Sequence, residues 1–367
     1  MKIAYVNFWD VFVEDGVVKK LRLQSGHWRA AGHQVELFCL TPKPPEPASP
    51  VLEGEIFTFD GGRQRFTATR ALASAVRDFA ADVLYLRYDV FLPPILRALA
   101  ERPMVVELNS RPDEFALRPL LPRTYERWNR RRILSCADGV VCDSHELADD
   151  PTVERLGKPV VVIGNGIDVA AFPATPPPTS ERPRGVFLGT PGQPWQGIDK
   201  LRLLATLLPE FDFDIVGPAP AELGGPPPPN VRMHGFLTRE RYEAIVTTAD
   251  FGIGSLAQYR KRQNELAPLK VREYLAYGLP VLIAHKDPDL TNEPHWFVLE
   301  LPNHDRNVAD AAEAVRAWVS SIKGSRVGRD EADRLVGAEP KEAERLRLMR
   351  RVAAGGARVD ERAVAPG

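Results

Sequence analysis

The sequence predicts an α/β protein built from two doubly wound parallel sheets, and three observations carry that prediction. Short apolar runs of strand length alternate with segments of helical length from the first residue onward. The runs are uninterrupted rather than alternately apolar and polar, as strands covered on both faces require. The alternation halts at a proline-rich stretch and then restarts, so the pattern occurs twice within 367 residues. That length suits two domains, each with its own core.

The first pass gives strands at residues 2–6, 34–40, 82–86, 104–108, 139–142 and 159–163, with helices at 17–31, 69–80 and 93–100. Residues 1–168 are thus expected to form an N-terminal domain. Residues 169–183 contain Pro-Ala-Thr-Pro-Pro-Pro-Thr-Ser, which neither a helix nor a central strand tolerates, and are expected to be a linker. The second pass gives strands at 185–188, 213–216, 231–233, 251–255, 280–284 and 297–301, with helices at 199–208, 239–248 and 307–322. A C-terminal domain over 184–328 follows. Residues 329–367 are expected to be a charged tail with a helix at 341–352, whose Leu346, Met349 and Val352 recur every third position.

Composition narrows the partners. Apolar residues are 44%, charged residues 26%, and the net charge is −1, which gives no reason to expect nucleic acid. Cys39, Cys136 and Cys142 are odd in number and lack metal spacing, as in a reducing compartment. No apolar run approaches the roughly 18 residues of a membrane span. A cytoplasmic protein is expected.

The most informative stretch runs Asn264-Glu265-Leu266-Ala267-Pro268-Leu269-Lys270-Val271-Arg272-Glu273-Tyr274-Leu275-Ala276-Tyr277-Gly278-Leu279-Pro280. Pro268 suits the first position of a helix, and Gly278 with Pro280 suits its end. The helix follows a strand, so its N-terminus opens at the carboxyl end of the sheet, where free N–H groups attract phosphate. Lys270 and Glu273 are i,i+3 neighbours on one face, and Glu265 lies on the loop before. Singly, these residues would be an ordinary exposed Glu–Lys pair. Together, two glutamates eight apart bracket a Pro-started helix ahead of a Gly-x-Pro strand.

This stretch resembles the paired-glutamate signature of retaining GT-B glycosyltransferases of family 4, in a Pro-Leu-Lys…Glu-Tyr-Leu-Ala…Gly-Leu-Pro-Val variant common among bacterial members. Further segments are similar to that family in order: Asp15-Gly16-Val17-Val18, Ala31-Gly32-His33, Ile163-Gly164-Asn165-Gly166-Ile167-Asp168, Phe187-Leu188-Gly189-Thr190, Trp195-Gln196-Gly197, Asn230-Val231…Gly235 and Asp250-Phe251-Gly252. The resemblance spans roughly residues 1–322. It implies a GT-B fold, two Rossmann-like doubly wound domains facing each other across a cleft.

It also implies roles. Glu273 would hold the ribose of a nucleotide-diphosphate sugar, and Glu265 the donor sugar. Amides around Leu269 and Lys270 would face the diphosphate, Gly16 would approach it from the N-terminal domain, and Gly235 would lie on a strand edge of the donor site. Many members carry an arginine and a lysine where this chain has Thr190 and Gln196. Lys270, with Arg260, Lys261 or Arg262, is expected to supply the missing charge. Where many members have a histidine near the end of the fourth strand, this chain has Glu107 and Asn109. These are expected to face sugar or acceptor, with a strand-end polar pair as the equal alternative. No tightly bound cofactor and no metal are expected. The acceptor would be a glycan, a lipid-linked or a small-molecule hydroxyl, met by the loops 8–18, 61–67 and 111–118. Front-face departure of the diphosphate would make a conventional base unnecessary.

Other signals are set aside. Asp212-Phe213-Asp214 mimics a metal-binding Asp-x-Asp but falls inside a strand. The histidines show no ligand spacing. Arg123, Arg127, Arg130, Arg131 and Arg132 are foremost a solvated face, with weak contact to the inner membrane surface as the alternative. The competing functions are a GT-B nucleotide-sugar epimerase, a pseudo-glycosyltransferase, and a non-catalytic subunit that binds a nucleotide sugar. A nicotinamide enzyme is excluded because no Gly-x-Gly-x-x-Gly follows the first strand.

Overall fold

The computed structural model describes residues 1–109 and 120–356. It divides into two compact units, residues 1–163 with the chain from 339 onward, and residues 164–338. The expected acceptor loop at 111–118 lies outside the described residues.

The first unit holds β1 (Lys2–Phe8), β2 (Gln34–Pro42), β3 (Glu55–Phe59), β4 (Val83–Arg87), β5 (Met104–Leu108), β6 (Gly139–Cys142) and β7 (Val160–Val162). They form one seven-stranded sheet in the order β3-β2-β1-β4-β5-β6-β7. Around it lie α1 (Gly16–Ala30), α2 (Gly62–Phe79), α3 (Pro93–Leu99), α4 (Leu120–Cys136), α5 (His145–Ala148) and α6 (Pro151–Glu154). The second unit holds β8 (Arg184–Leu188), β9 (Asp212–Val216), β10 (Val231–Gly235), β11 (Phe251–Ile253), β12 (Val281–Ile283) and β13 (Val298–Glu300). Its six strands run in the order β10-β9-β8-β11-β12-β13. Its helices are α7 (Ile198–Leu207), α8 (Arg239–Val246), α9 (Leu269–Ala276), α10 (Asn307–Ile322) and α11 (Arg329–Val336), after which α12 (Ala338–Gly356) ends the described chain.

Every strand pair between these elements is parallel, so the crossovers lay helices on both faces and each strand is buried on two sides. Successive side chains therefore feed opposite cores. Ile3 and Tyr5 pack with Leu37 and Val105 on one face, while Ala4 and Val6 pack with Phe38 and Val106 on the other. In both sheets the order reverses beside the first strand of the unit, at β1/β4 and β8/β11. Ligands of such sheets bind at the carboxyl ends beside that reversal.

Three expectations are corrected. Residues 169–183 are not a free linker between domains. Val169–Ala171 form a short 3-10 turn, Val169 and Phe172 are buried in the second unit's core, and the Phe172 ring meets Tyr277 edge-on at 4.9 Å. The N-terminal unit ends before 168, because Ile167 donates to the carbonyl of Val336 at 2.9 Å, inside the second unit. Finally, residues 329–356 are not a tail. α11 packs in the second unit, whereas Leu346, Leu348, Met349 and Val352 of α12 close one face of the first sheet. The strand β3 was not expected. It is a five-residue, partly exposed edge strand behind a proline run, and its pattern is too short to stand out.

Candidate functional site

The site is built on α9, which follows β11 at the reversal of the second sheet. Pro268 is the N-cap rather than the first helical residue, with φ −70° and ψ 137°, and leaves Leu269 to open the helix. At the other end Gly278 takes φ +78°, which a residue with a Cβ adopts only at a cost. Its N–H reaches the carbonyl of Leu275 at 2.9 Å, and that of Leu279 reaches Tyr274 at 2.8 Å, closing the helix as a Schellman motif does. Val271, Arg272, Glu273, Tyr274, Leu275 and Ala276 are all buried, so the helix is a core element with only its first turn open. The first-turn N–H groups of Leu269 and Lys270 have no partner within the helix.

Tyr274 ties α9 to the reversal point. Its hydroxyl accepts from the N–H of Leu188 in β8 at 2.7 Å and donates to the carbonyl of Ile253 in β11 at 3.1 Å. Its ring lies where a side chain on Gly252 would be, which explains a glycine inside β11.

Glu273 is 8% exposed. Its Oε2 accepts from the hydroxyl of Tyr242 on α8 at 3.0 Å. Burial, and then Glu273 itself, raise the phenol of Tyr242 far above its ordinary value, so it stays a donor. Lys270 projects the other way. Its Nζ donates to Oε1 of Gln196 at 3.3 Å and stands 3.9 Å from the centroid of the Phe187 ring. Burial pulls the ammonium down to about 7, an effect that Glu273 partly opposes. Both groups in contact with Nζ are thus neutral. Gln196 is buried, donates through Nε2 to Gln193 Oε1 at 2.5 Å, and leaves no room for a side chain on Gly189.

Glu265 is 9% exposed and sits on a two-residue parallel bridge with Lys286. The N–H of Leu266 reaches the carbonyl of Lys286 at 3.0 Å, and the N–H of Lys286 reaches Asn264 at 2.8 Å. Glu265, Leu269, Lys270, Glu273 and Gln196 therefore share one unit and the carboxyl side of its sheet. Thr190 is exposed on the turn after β8, and Gly235 closes β10 with φ +65°.

Two of the other expected cations are engaged elsewhere. Arg260 grips both carboxylate oxygens of Asp199, at 2.9 and 2.7 Å, and also the carbonyl of Pro194. The Nζ of Lys261 lies 4.2 Å from the Trp195 ring. Arg262 is an exposed residue at φ +55°.

In the first unit, one expectation changes. Glu107 has no exposure and does not face a ligand. Its Oε1 lies 3.0 Å from Lys20 Nζ and 3.5 Å from Arg345 Nη2, while Arg345 also binds Glu342, which accepts from Trp28 Nε1 at 2.9 Å. Burial alone would raise the Glu107 carboxyl, but Lys20 and Arg345 overcome it and hold it at about 2. Lys20 also donates to Oδ1 of the half-buried Asn109 at 2.8 Å. Glu107 thus belongs to a buried ion-pair cluster and not to a surface open to sugar or acceptor. Gly16 is the exposed first residue of α1. Asp15 caps that helix, accepting from the N–H groups of Val17 and Val18 at 2.9 Å, and also from Trp9 Nε1 at 2.8 Å. A carboxylate already occupies the anion position at that helix start.

Asp214 lies within β9 and binds His234 Nε2 at 2.7 Å, so this histidine has a carboxylate partner in space that sequence spacing hides. Among the described residues no cluster of three or more His, Cys, Asp or Glu side chains could hold a metal ion. Sequence reasoning also missed Tyr242, 31 residues from the glutamate it binds, and Arg272, whose polar end is wholly enclosed.

Two parallel doubly wound sheets, each reversing beside its first strand, make up a GT-B fold. Residues 15–171 match the model of Glycosyltransferase Family 4. The match lies outside the 264–280 stretch, so it and the paired glutamates are separate observations. Among solved structures, sucrose-phosphate synthase from Thermosynechococcus elongatus superimposes with TM-score 0.71 at 16% identity, over 96% of this chain and 99% of that one. Anabaena HepE in complex with UDP gives 0.61 at 16% identity, over 96% and 100%. UDP-GlcNAc 2-epimerase from Neisseria meningitidis, bound to UDP-GlcNAc, gives 0.55 at 12% identity, over 96% and 100%. At such identities the likeness is one of fold. No curated protein matches the sequence significantly. Among the described residues no helix is long and apolar enough to cross a membrane.

Proposed function

We propose that the protein is a glycosyltransferase that moves a hexosyl group from a nucleotide-diphosphate sugar to a hydroxyl of a glycan, lipid-linked or small-molecule acceptor, with retention at the anomeric carbon. The observation that carries the proposal is the open first turn of α9, with Glu265 before it, Glu273 within it and Lys270 between. Glu273 accepts from the ribose while Tyr242 holds its other oxygen. Lys270 leaves Gln196 and Phe187 for the diphosphate, a better partner because charge-assisted bonds are about twice as strong as neutral ones. Amides of Leu269 and Lys270 add the helix N-terminus to the same anion. Glu265 accepts from a hydroxyl of the donor sugar.

The chemistry then needs no protein base. The bond from the anomeric carbon to the diphosphate oxygen breaks, and a bond from that carbon to the acceptor oxygen forms on the same face. The acceptor's proton passes to the departing phosphate oxygen. Lys270 and the helix end stabilise the charge that develops on the diphosphate, and the remaining contribution is positioning. No metal and no tightly bound cofactor take part. Anabaena HepE has been crystallised with UDP and with UDP-glucose, which supports beginning with uridine donors.

The test is incubation of the purified chain with uridine, guanosine, adenosine and thymidine diphosphate sugars and a mixed acceptor panel, followed by NMR of the product. A glycoside with the donor's anomeric configuration is expected. An inverted glycoside would overturn retention, and an altered free nucleotide sugar would favour the epimerase alternative.

A further inference from the structure

Arg272 has no exposed surface, yet four acceptors surround its guanidinium. It lies one residue before Glu273 and its side chain runs back along α9, as helical side chains do. Nη2 donates to Asp287 Oδ1 at 2.9 Å, Nη1 pairs with the other Asp287 oxygen, and Nη2 also pairs with Asp289. Nε donates to the carbonyl of Asn165 at 3.0 Å. Asn165 in turn donates through Nδ2 to the carbonyl of Ala267 at 2.6 Å. The packing is tight enough that a Cβ on Gly164 would strike the Asp289 carboxylate.

The groups gripped by Arg272 border the loop that carries Glu265 on both sides. Asp287 and Asp289 follow Lys286, whose backbone forms the bridge with residues 264–266. Asn165 holds Ala267, two residues after Glu265. Glu273 is fixed by other means, through Tyr242 and through the burial of α9 itself.

We propose that Arg272 is the positioning residue for Glu265, acting through the 286–289 segment and through Asn165, and that it sets sugar handling separately from nucleotide binding. This rests on the donor-site reading of Glu265 and Glu273 given above. One helix then serves both halves of the donor. Glu273 meets the nucleotide directly, and Arg272 holds the loop that meets the sugar. Only a planar fork reaches four acceptors at once; a lysine supplies the charge as a single point.

The test uses Arg272→Lys, with Asn165→Ala as the milder variant that removes one bond and should fold even if the first does not. Hydrogen exchange of the free proteins is followed at Leu266 and Lys286, whose amides make the bridge, and at Tyr277 and Leu279, which close α9. Affinity is measured for UDP, GDP, ADP and dTDP, and acceptor-independent diphosphate release from the matching sugar nucleotides. In Arg272→Lys the bridge amides should exchange at least tenfold faster with the helix amides unchanged. Diphosphate affinity should stay within twofold while release falls at least tenfold, and Asn165→Ala should show the same split, smaller. Equal acceleration in the helix, or affinity lost in step with release, would make Arg272 a mere support of α9 and overturn the proposal. Unchanged exchange or unchanged release would overturn it too. A Glu273→Ala protein that binds diphosphate like wild type would instead remove the donor-site reading.

Discussion

Each unit places a lysine and a glutamate toward the carboxyl side of a parallel sheet, and the two pairs differ in what surrounds them. In the first unit Lys20 and Arg345 face Glu107 and Glu342, two cations against two anions, all buried. Such a cluster is neutral as it stands, which is the condition for burying charge. In the second unit, among the described residues, the ammonium of Lys270 meets an amide oxygen and an aromatic ring. Its carboxylate neighbour, Glu273, is engaged by Tyr242. The first cluster is closed upon itself; the second has a cation whose charge is best satisfied by something that arrives. The residue types are the same, and the local charge balance separates the closed cluster from the pair we propose to bind a ligand.

The comparison can be broken most forcefully in the first unit. Arg345→Ala leaves two buried carboxylates with one cation, and removing one partner of a buried pair costs about 3–5 kcal/mol. Urea unfolding should show a loss of that order; a loss within experimental error would mean the cluster is not structural. The acid limb of stability carries the same signature. Glu107 is held at about 2, below its ordinary carboxyl value, so its contribution is complete above the unfolded value near 4.5 and is lost as the pH falls through about 2. A Glu107→Gln protein should lack that part of the acid transition.

The second unit offers the next largest effect. Hydrogen bonds to charged groups are worth about 1.5–3 kcal/mol, so Glu273→Ala should weaken a nucleoside diphosphate roughly ten- to a hundredfold. Calorimetric titration reads this directly, and equal affinity would remove Glu273 from the ribose. Lys270 gives a pH test. With its ammonium lowered to about 7, the empty protein is penalised for the charge below that pH, and the penalty fades as pH rises toward the unfolded value near 10.5. Diphosphate prefers the charged form, so affinity should be level below about pH 7 and fall up to about tenfold per unit above it. Lys270→Met should bind weakly, with that slope gone. The smallest effect belongs to Tyr242→Phe, which removes one neutral donor and should weaken the diphosphate by about 0.5–1.5 kcal/mol, roughly two- to tenfold.

Much of this was legible in the sequence, for physical reasons that can be named. Both sheets announced themselves because parallel strands are continuous apolar runs, as at 2–6 and 213–216. α9 announced its limits through Pro268 and Gly278, which act locally on the backbone. Leu346, Met349 and Val352 foretold a packed helix, although periodicity does not say onto which sheet. What stayed hidden depends on distance in space. Glu107 left two readings equally open because its cations come from residues 20 and 345. Tyr242 and Asn165 carry no local signal, since their partners are far along the chain. The proline stretch misled for a related reason: proline forbids regular structure but does not prevent the chain leading into it from docking on a core, as Val169 and Phe172 do.

The most direct measurement is thermal unfolding of wild type and Glu273→Ala with uridine, guanosine, adenosine and thymidine diphosphates. A ligand at about 100 times its dissociation constant adds about 2.7 kcal/mol to the state that binds it, a shift of several degrees for a domain of this size. One diphosphate should raise the wild-type midpoint by that amount, and Glu273→Ala, binding roughly ten- to a hundredfold more weakly, should keep about half of that shift or less. An undiminished shift in Glu273→Ala, or none in the wild type with any diphosphate, would contradict the assignment of the donor site to α9.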